Sequence, residues 1–100
     1  MKTIDLKKKI DLKEDIFIID VRTNQEREFT KISPSHHISM NELQSRVTEL
    51  PKDKLIVVYC HSGIRSSYAV SFLKQNGFKA ENLAGGTEAY SKIDKKVKRY

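Results

Sequence analysis

The hydrophobic positions of this 100-residue chain gather into two short solid runs set among patterned stretches. The first, Ile16 to Ile19 within "DIFIIDV" (15–21), is closed by Asp20; the second, "KLIVVYC" (54–60), is β-branched and flanked by "PKD" and "HSG". Solid runs of about four to six apolar residues fit strands buried on both faces, as in a parallel sheet covered by helices. Between them, "TNQEREFT" and "NELQSRVTEL" read as helices. Thr23 or Asn24 is placed to cap the first, with Phe29 facing inward. Asn41 is placed to cap the second, where Leu43, Val47 and Leu50 recur at helical spacing until Pro51 stops it.

Beyond the second run, Ser62 or Gly63 opens a long helix. Its predicted buried stripe is Tyr68, Phe72 and Gln75, widened by Ala69, Val70 and Leu73. Asn76-Gly77 ends it, with the glycine in the left-handed position. "KAENL" (79–83) reads as a short strand, Gly85-Gly86 as a tight turn, and "TEAYSKI" as a last helix capped by Thr87. The N-terminal "MKTIDLKKKIDLKED" leaves room for one short strand and at most two turns of helix. The alternation βαβαβα with short links predicts an α/β domain with a mainly parallel sheet. No repeat, low-complexity tract or linker interrupts it, and the length suits one domain spanning 1–100.

Composition narrows the function. No apolar run approaches the roughly 20 residues that span a bilayer. Charges break the N-terminal segment every second or third residue, unlike a secretion signal, so a cytoplasmic location and no membrane partner are expected. The net charge of +6 comes from 19 basic and 13 acidic residues, with "KKK" at 7–9 and a basic tail at 92–100. Polycations gain affinity for nucleic acid by releasing counterions. Neither terminus carries interleaved aromatics or a glycine-rich clamp, so solubility and attraction for small anions or acidic proteins are expected instead of nucleic acid. A single cysteine, Cys60, excludes an internal disulfide and a cysteine-cluster metal site.

That cysteine carries the candidate chemistry. It ends the most hydrophobic strand, and in open α/β sheets ligands bind beyond the carboxyl ends of strands. The turn "HSGIRS" that follows brings backbone N–H groups and a helix start toward the sulfur, an arrangement that favours the nucleophilic thiolate. Gly63 permits the tight turn and a close anion. Arg65 adds a cation able to fork onto oxyanion oxygens, and Ser62, Ser66 and Ser67 supply hydroxyls. A lone cysteine is commonly a core residue. This one adjoins a histidine and precedes glycine, arginine and three serines, a setting that a core position does not need.

The loop resembles the rhodanese-like domains, small α/β sulfurtransferases whose pattern Cys-x-x-Gly-x-Arg is written here as Cys60-His61-Ser62-Gly63-Ile64-Arg65, with Ser66 following. "IIDVR" (18–22) resembles the family's Asp-Val-Arg. "TNQEREF" resembles its glutamate-rich stretch, with Glu28-Phe29 at the Glu-Phe positions. "NLAGGTEAY" (82–90) is similar to its Leu-x-Gly-Gly-x-x-x-Trp, with Tyr90 for the tryptophan. The likeness covers 16–90 in order. It departs at "TKISPSHHISMNEL", about two residues shorter than the family's Gly-His-Ile-x-Gly-Ala stretch and without its glycines; His37-Ile38-Ser39 is left to form the short strand. The resemblance implies a three-layer fold with a mainly parallel sheet of roughly five strands covered by helices on both faces. It implies a persulfide on Cys60, loaded from thiosulfate or a persulfide and unloaded to cyanide or a thiol. Arg65 would meet the anionic donor, residues 61–66 (His61, Ser62, Gly63, Ile64, Ser66) would bind it, and Asp20 would hold the loop and its surroundings. No metal or organic cofactor is implied, a protein thiol is a further acceptor, and a monomer is the expected state.

Two rival readings accompany this one. A persulfide carrier or binding module would share the loop yet turn over little. Phosphatases and arsenate reductases also cradle an anion at a cysteine, but there five residues separate cysteine from arginine, against the four here (His61, Ser62, Gly63, Ile64). Among other residues, His61 is expected at the pocket mouth rather than as a general base. His36, His37 and Cys60 fit no metal-ligand spacing. Asp20 is expected to be a hydrogen-bonded structural carboxylate. Arg22 is left between facing the pocket and pairing with Glu26 or Glu28.

Overall fold

The computed structural model describes residues 1–99; Tyr100, the end of the basic tail, lies outside them. Four parallel strands form one sheet in the order β2-β1-β3-β4: β1 Phe17–Asp20, β2 His36–His37, β3 Ile56–Tyr59 and β4 Ala80–Asn82. Five helices connect and cover them: α1 Thr3–Asp11, α2 Asn24–Phe29, α3 Met40–Arg46 (continued by a 3₁₀ turn, Val47–Glu49), α4 Ile64–Gln75 and α5 Gly86–Tyr90. The sheet has four strands where about five were expected, because the N-terminal segment is helical from Thr3 to Asp11 and forms no strand.

Alternation along β1 and β3 divides the core. Ile19, Val21, Ile56, Val58 and Cys60 point to one face, under Leu43 of α3 and Ala69, Val70 and Leu73 of α4. Ile18, Val57 and Tyr59 point to the other, against Leu6 of α1 and Tyr90 of α5. Both central strands are thus buried on both sides, which is why they read as solid runs. The result is the expected three-layer α/β fold.

Local details differ from the sequence reading in instructive ways. Thr23 caps α2 through a full capping box: its hydroxyl accepts from the Glu26 N–H, and its own N–H donates to Glu26 Oε1. Ser39, not Asn41, precedes α3. Gly63 and Gly85, both left-handed, precede α4 and α5, so Thr87 lies inside α5 and does not cap it. Phe29 is 45 % exposed and Tyr68 69 % exposed, neither of them core. The buried stripe of α4 is Ser66, Ala69, Val70 and Leu73, spaced i, i+3, i+4, i+7. Small residues at the contact let α4 lie close over the sheet, turning Tyr68 outward. Among the described residues, no helix is long and apolar enough to cross a membrane.

Candidate active site

Three observations build the site around β3. First, parallel pairing carries Cys60 to the carboxyl end of the sheet, 1 % exposed. Second, the first turn of α5 takes up the carbonyls that follow: Thr87 N–H donates to Cys60 O at 2.9 Å and Glu88 N–H to His61 O at 3.0 Å. Gly86 makes this approach feasible. A Cβ there would lie 2.3 Å from Cys60 O and 2.5 Å from His61 O, and its φ is +58°. Third, with those carbonyls turned to α5, N–H groups of the loop face the sulfur. Gly63 N–H donates to Cys60 Sγ at 3.1 Å, Ser66 N–H at 3.5 Å and the Ser66 hydroxyl at 3.3 Å.

These contacts set the thiol's acidity. Burial pushes it up, but the Ser66 hydroxyl, the Ser66 and Gly63 amides and the Ser62 amide outweigh burial, so the pKa lies below the ordinary thiol value. Gly63 holds φ +100°, and a Cβ on it would press on Gly85 N at 3.3 Å. The loop is therefore packed directly onto the turn that starts α5.

Arg65 has a partner that the loop pattern did not show. Its Nη1 and Nη2 donate to Glu26 Oε1 and Oε2, both at 2.7 Å, in a bidentate pair. The same Glu26 completes the α2 capping box, so one carboxylate ties α2 to the start of α4. The Arg65 fork holds its pKa down to about 2. Arg65 also borders a cleft of about 400 Å³ lined by Val21, Arg22, Thr23, Ser39 and Met40. Of the remaining loop residues, His61 is half-buried with Nε2 3.8 Å from Glu88 Oε2; Ser62 is exposed, and Ile64 is 66 % exposed.

Asp20 and Arg22 are both fully buried and bonded to each other. Oδ1 of Asp20 accepts from Arg22 N and Nε, each at 2.9 Å. Oδ2 accepts from Arg22 Nη2 at 2.9 Å and from Arg27 Nη1 and Tyr59 Oη, each at 3.1 Å. Arg22 therefore pairs with Asp20, and it also borders the cleft beside Arg65. Further polar contacts reach the carbonyls of Thr30 at 2.5 Å and Glu26 at 3.4 Å. Arg27 and Tyr59 carry the network on into 32–35, where Tyr59 Oη accepts from Ile32 N–H and Arg27 bonds Ser35 Oγ and O. This cluster fixes the shortened 30–35 segment in place of the missing glycines. Asp20 thus holds the surroundings of the loop, and none of its hydrogen bonds among the described residues goes to 61–66. His36 stacks on Phe17, and His37 Nε2 lies 2.7 Å from Arg22 O.

A model of the rhodanese-like domain matches residues 3–93. The chain belongs to the rhodanese-like family. YtwF of Bacillus subtilis is 37 % identical to this rhodanese-like chain over 90 residues, 90 % of this chain and 87 % of that one. The thiosulfate sulfurtransferase GlpE of Coxiella burnetii is 38 % identical over 79 residues, 78 % and 74 % of the two chains. The crystal structure of a rhodanese-like domain protein from Staphylococcus aureus superposes with a TM-score of 0.89 at 28 % identity, covering 100 % of this chain and 96 % of that one.

Two participants escaped the reading of this rhodanese-like loop from sequence. Glu26, rather than Glu28, faces the site; its position three residues after Thr23, in capping-box spacing, was the available signal. Asn82, at the carboxyl end of the strand beside β3, is the other. A polar residue closing a strand next to the cysteine's own was its signal.

Proposed function

We propose that this rhodanese-like domain is a sulfurtransferase working through a persulfide on Cys60. The supporting observation is the convergence of the Gly63 and Ser66 amides and the Ser66 hydroxyl on one sulfur. The Cys60 thiolate attacks the outer sulfur of thiosulfate or of a persulfide. A bond forms between Sγ and that sulfur, the donor's S–S bond breaks, and sulfite or a thiolate leaves with the electron pair. An acceptor thiolate, or cyanide, then attacks the outer sulfur and breaks its bond to Sγ, returning the Cys60 thiolate. No net oxidation occurs, and the two displacements through a covalent intermediate give ping-pong kinetics. The loop donors stabilise the anion in each resting state. Arg65, anchored by Glu26 at the cleft's edge, presents positive charge to an arriving anionic donor.

The test is intact mass. Reduced protein incubated with thiosulfate, freed of excess donor, gains the mass of one sulfur atom at Cys60. Cyanide or reductant removes it, and Cys60→Ser abolishes it, since the chain holds no other thiol. Loading without steady-state cyanide turnover identifies a carrier that delivers to a protein. Absence of the adduct with several donors, while Cys60 alkylates readily, overturns the proposal.

A further inference from the structure

Ser66 and Gly63 supply three of the donors within hydrogen-bond reach of Cys60 Sγ, and both are tied to one side chain. Asn82 Nδ2 donates to Gly63 O at 3.0 Å, while Asn82 Oδ1 accepts from the Ser66 hydroxyl at 2.5 Å. The chemistry of the partners fixes the amide's orientation. A carbonyl only accepts, so the Asn82 nitrogen must face Gly63 O and its oxygen must face Ser66. Asn82 reaches this position because β4 pairs in parallel with β3, and Asn82 stands opposite Val58, two residues before Cys60.

We propose that Asn82 is a positioning residue that sets the geometry of the donors on Cys60 Sγ. Its nitrogen fixes the carbonyl of the residue whose own N–H meets the sulfur. Its oxygen holds the Ser66 side chain beside the sulfur, and the one hydroxyl proton is contested between Asn82 Oδ1 at 2.5 Å and Sγ at 3.3 Å. Ser66 itself is fully buried, so no solvent enters that contest. Without Asn82 the loop keeps its composition but loses the brace on the Gly63 peptide, and the Ser66 proton is left to the sulfur alone. This inference rests on the sulfurtransferase reading for its meaning in catalysis, but its physical content concerns the thiol alone.

The experiment is the pH dependence of Cys60 alkylation in Asn82→Leu and, as a smaller change, Asn82→Ala, with folding of each checked by circular dichroism. In a Ser66→Ala background, where no hydroxyl proton is contested, each Asn82 substitution raises the midpoint by about half a unit to one unit, the worth of one net hydrogen bond to the charged form. With Ser66 present the same substitutions raise it by less, because the freed hydroxyl proton turns to the sulfur and offsets part of the loss. Lost thermal stability with an unmoved midpoint in the Ser66→Ala background would show Asn82 to be merely structural and overturn the proposal. So would a fall in the midpoint there. The intact-mass test is separate. A protein that fails to load sulfur refutes the sulfurtransferase reading and leaves the midpoint comparison as the judge of Asn82.

Discussion

Replacing Asp20 with asparagine isolates what the buried charge network contributes. The Asp20 carboxylate takes five donors: three from Arg22, one from Arg27 and one from Tyr59. Asparagine keeps one acceptor oxygen and sets an NH₂ against the donors served by the other. Arg22, with no exposed surface, then keeps its charge without the carboxylate that balances it. Removing one partner of a buried ion pair costs about 3–5 kcal/mol, a large part of a stability of about 5–15 kcal/mol. Urea unfolding followed by circular dichroism reads the loss as a lower midpoint at unchanged slope. The pH dependence follows from the direction of the shift. Burial pushes Asp20 up, but Arg22 and Arg27 more than reverse it, leaving the folded pKa below the ordinary carboxylate value. Such a group stabilises fully above the unfolded value of about 3.9 and loses its contribution as pH falls through the folded one. The gap between wild type and Asp20→Asn is therefore flat above about pH 4 and narrows below it. Cys60 alkylation in the folded variant keeps its midpoint, since among the described residues Asp20's hydrogen bonds go to Arg22, Arg27 and Tyr59 and not to the loop. A loss under about 1 kcal/mol, or a gap indifferent to acid, would refute the account of Asp20 as the charge on which the 30–35 segment is hung.

Two further outcomes are expected. Gly86→Ala forces a Cβ to within 2.3 Å of Cys60 O at a φ of +58°, so the loop must shift; a stability loss of about 1–3 kcal/mol in urea and slower Cys60 alkylation follow, and wild-type values for both would show that the α5 turn does not brace the loop. Glu26→Gln removes a carboxylate held down to about 2 by Arg65; its contribution is complete above the unfolded value near 4.3 and fades as pH falls toward 2, so the variant's stability should decline less steeply over that acid range, and an unchanged slope would deny the pair in solution.

The sequence was most legible where one physical requirement dominates. Strands β1 and β3 are buried on both faces, so hydrophobicity alone located them, and the parallel order followed from the spacing of the helices between. Cys60, Gly63 and Ser66 were legible because the loop is local: its donors lie within six residues of the sulfur. What a linear pattern could not show were contacts set by packing. Tyr68 and Phe29 look like core residues, yet the rotation of α4 follows its small residues, Ser66 and Ala69, and α2 buries none of its residues. The Glu26 partner of Arg65 was hidden because it lies 39 residues away in sequence. Asn82 was hidden for the same reason, being brought to the loop only by β3–β4 pairing.

The role of α5 follows from the need to pair every backbone group near a buried sulfur. A peptide unit that points its N–H inward must point its carbonyl elsewhere, and a buried carbonyl without a donor is costly. The Cys60 and His61 carbonyls meet the Thr87 and Glu88 amides, groups that a helix's first turn leaves without an internal partner. One set of unpaired groups thus satisfies another. Gly86 is demanded by the closeness of that exchange, and Gly63 by the turn that brings its own N–H back to the sulfur. The loop also closes tightly: the Gly63 and Ser66 amides lie within 3.5 Å of Sγ itself, where a phosphatase cradle must leave space for a tetrahedral anion ahead of the cysteine. Donors already in contact with the thiolate favour a reaction in which charge stays on sulfur from step to step. That contact geometry, more than the presence of a cysteine, is the ground on which we propose sulfur transfer rather than phosphate hydrolysis.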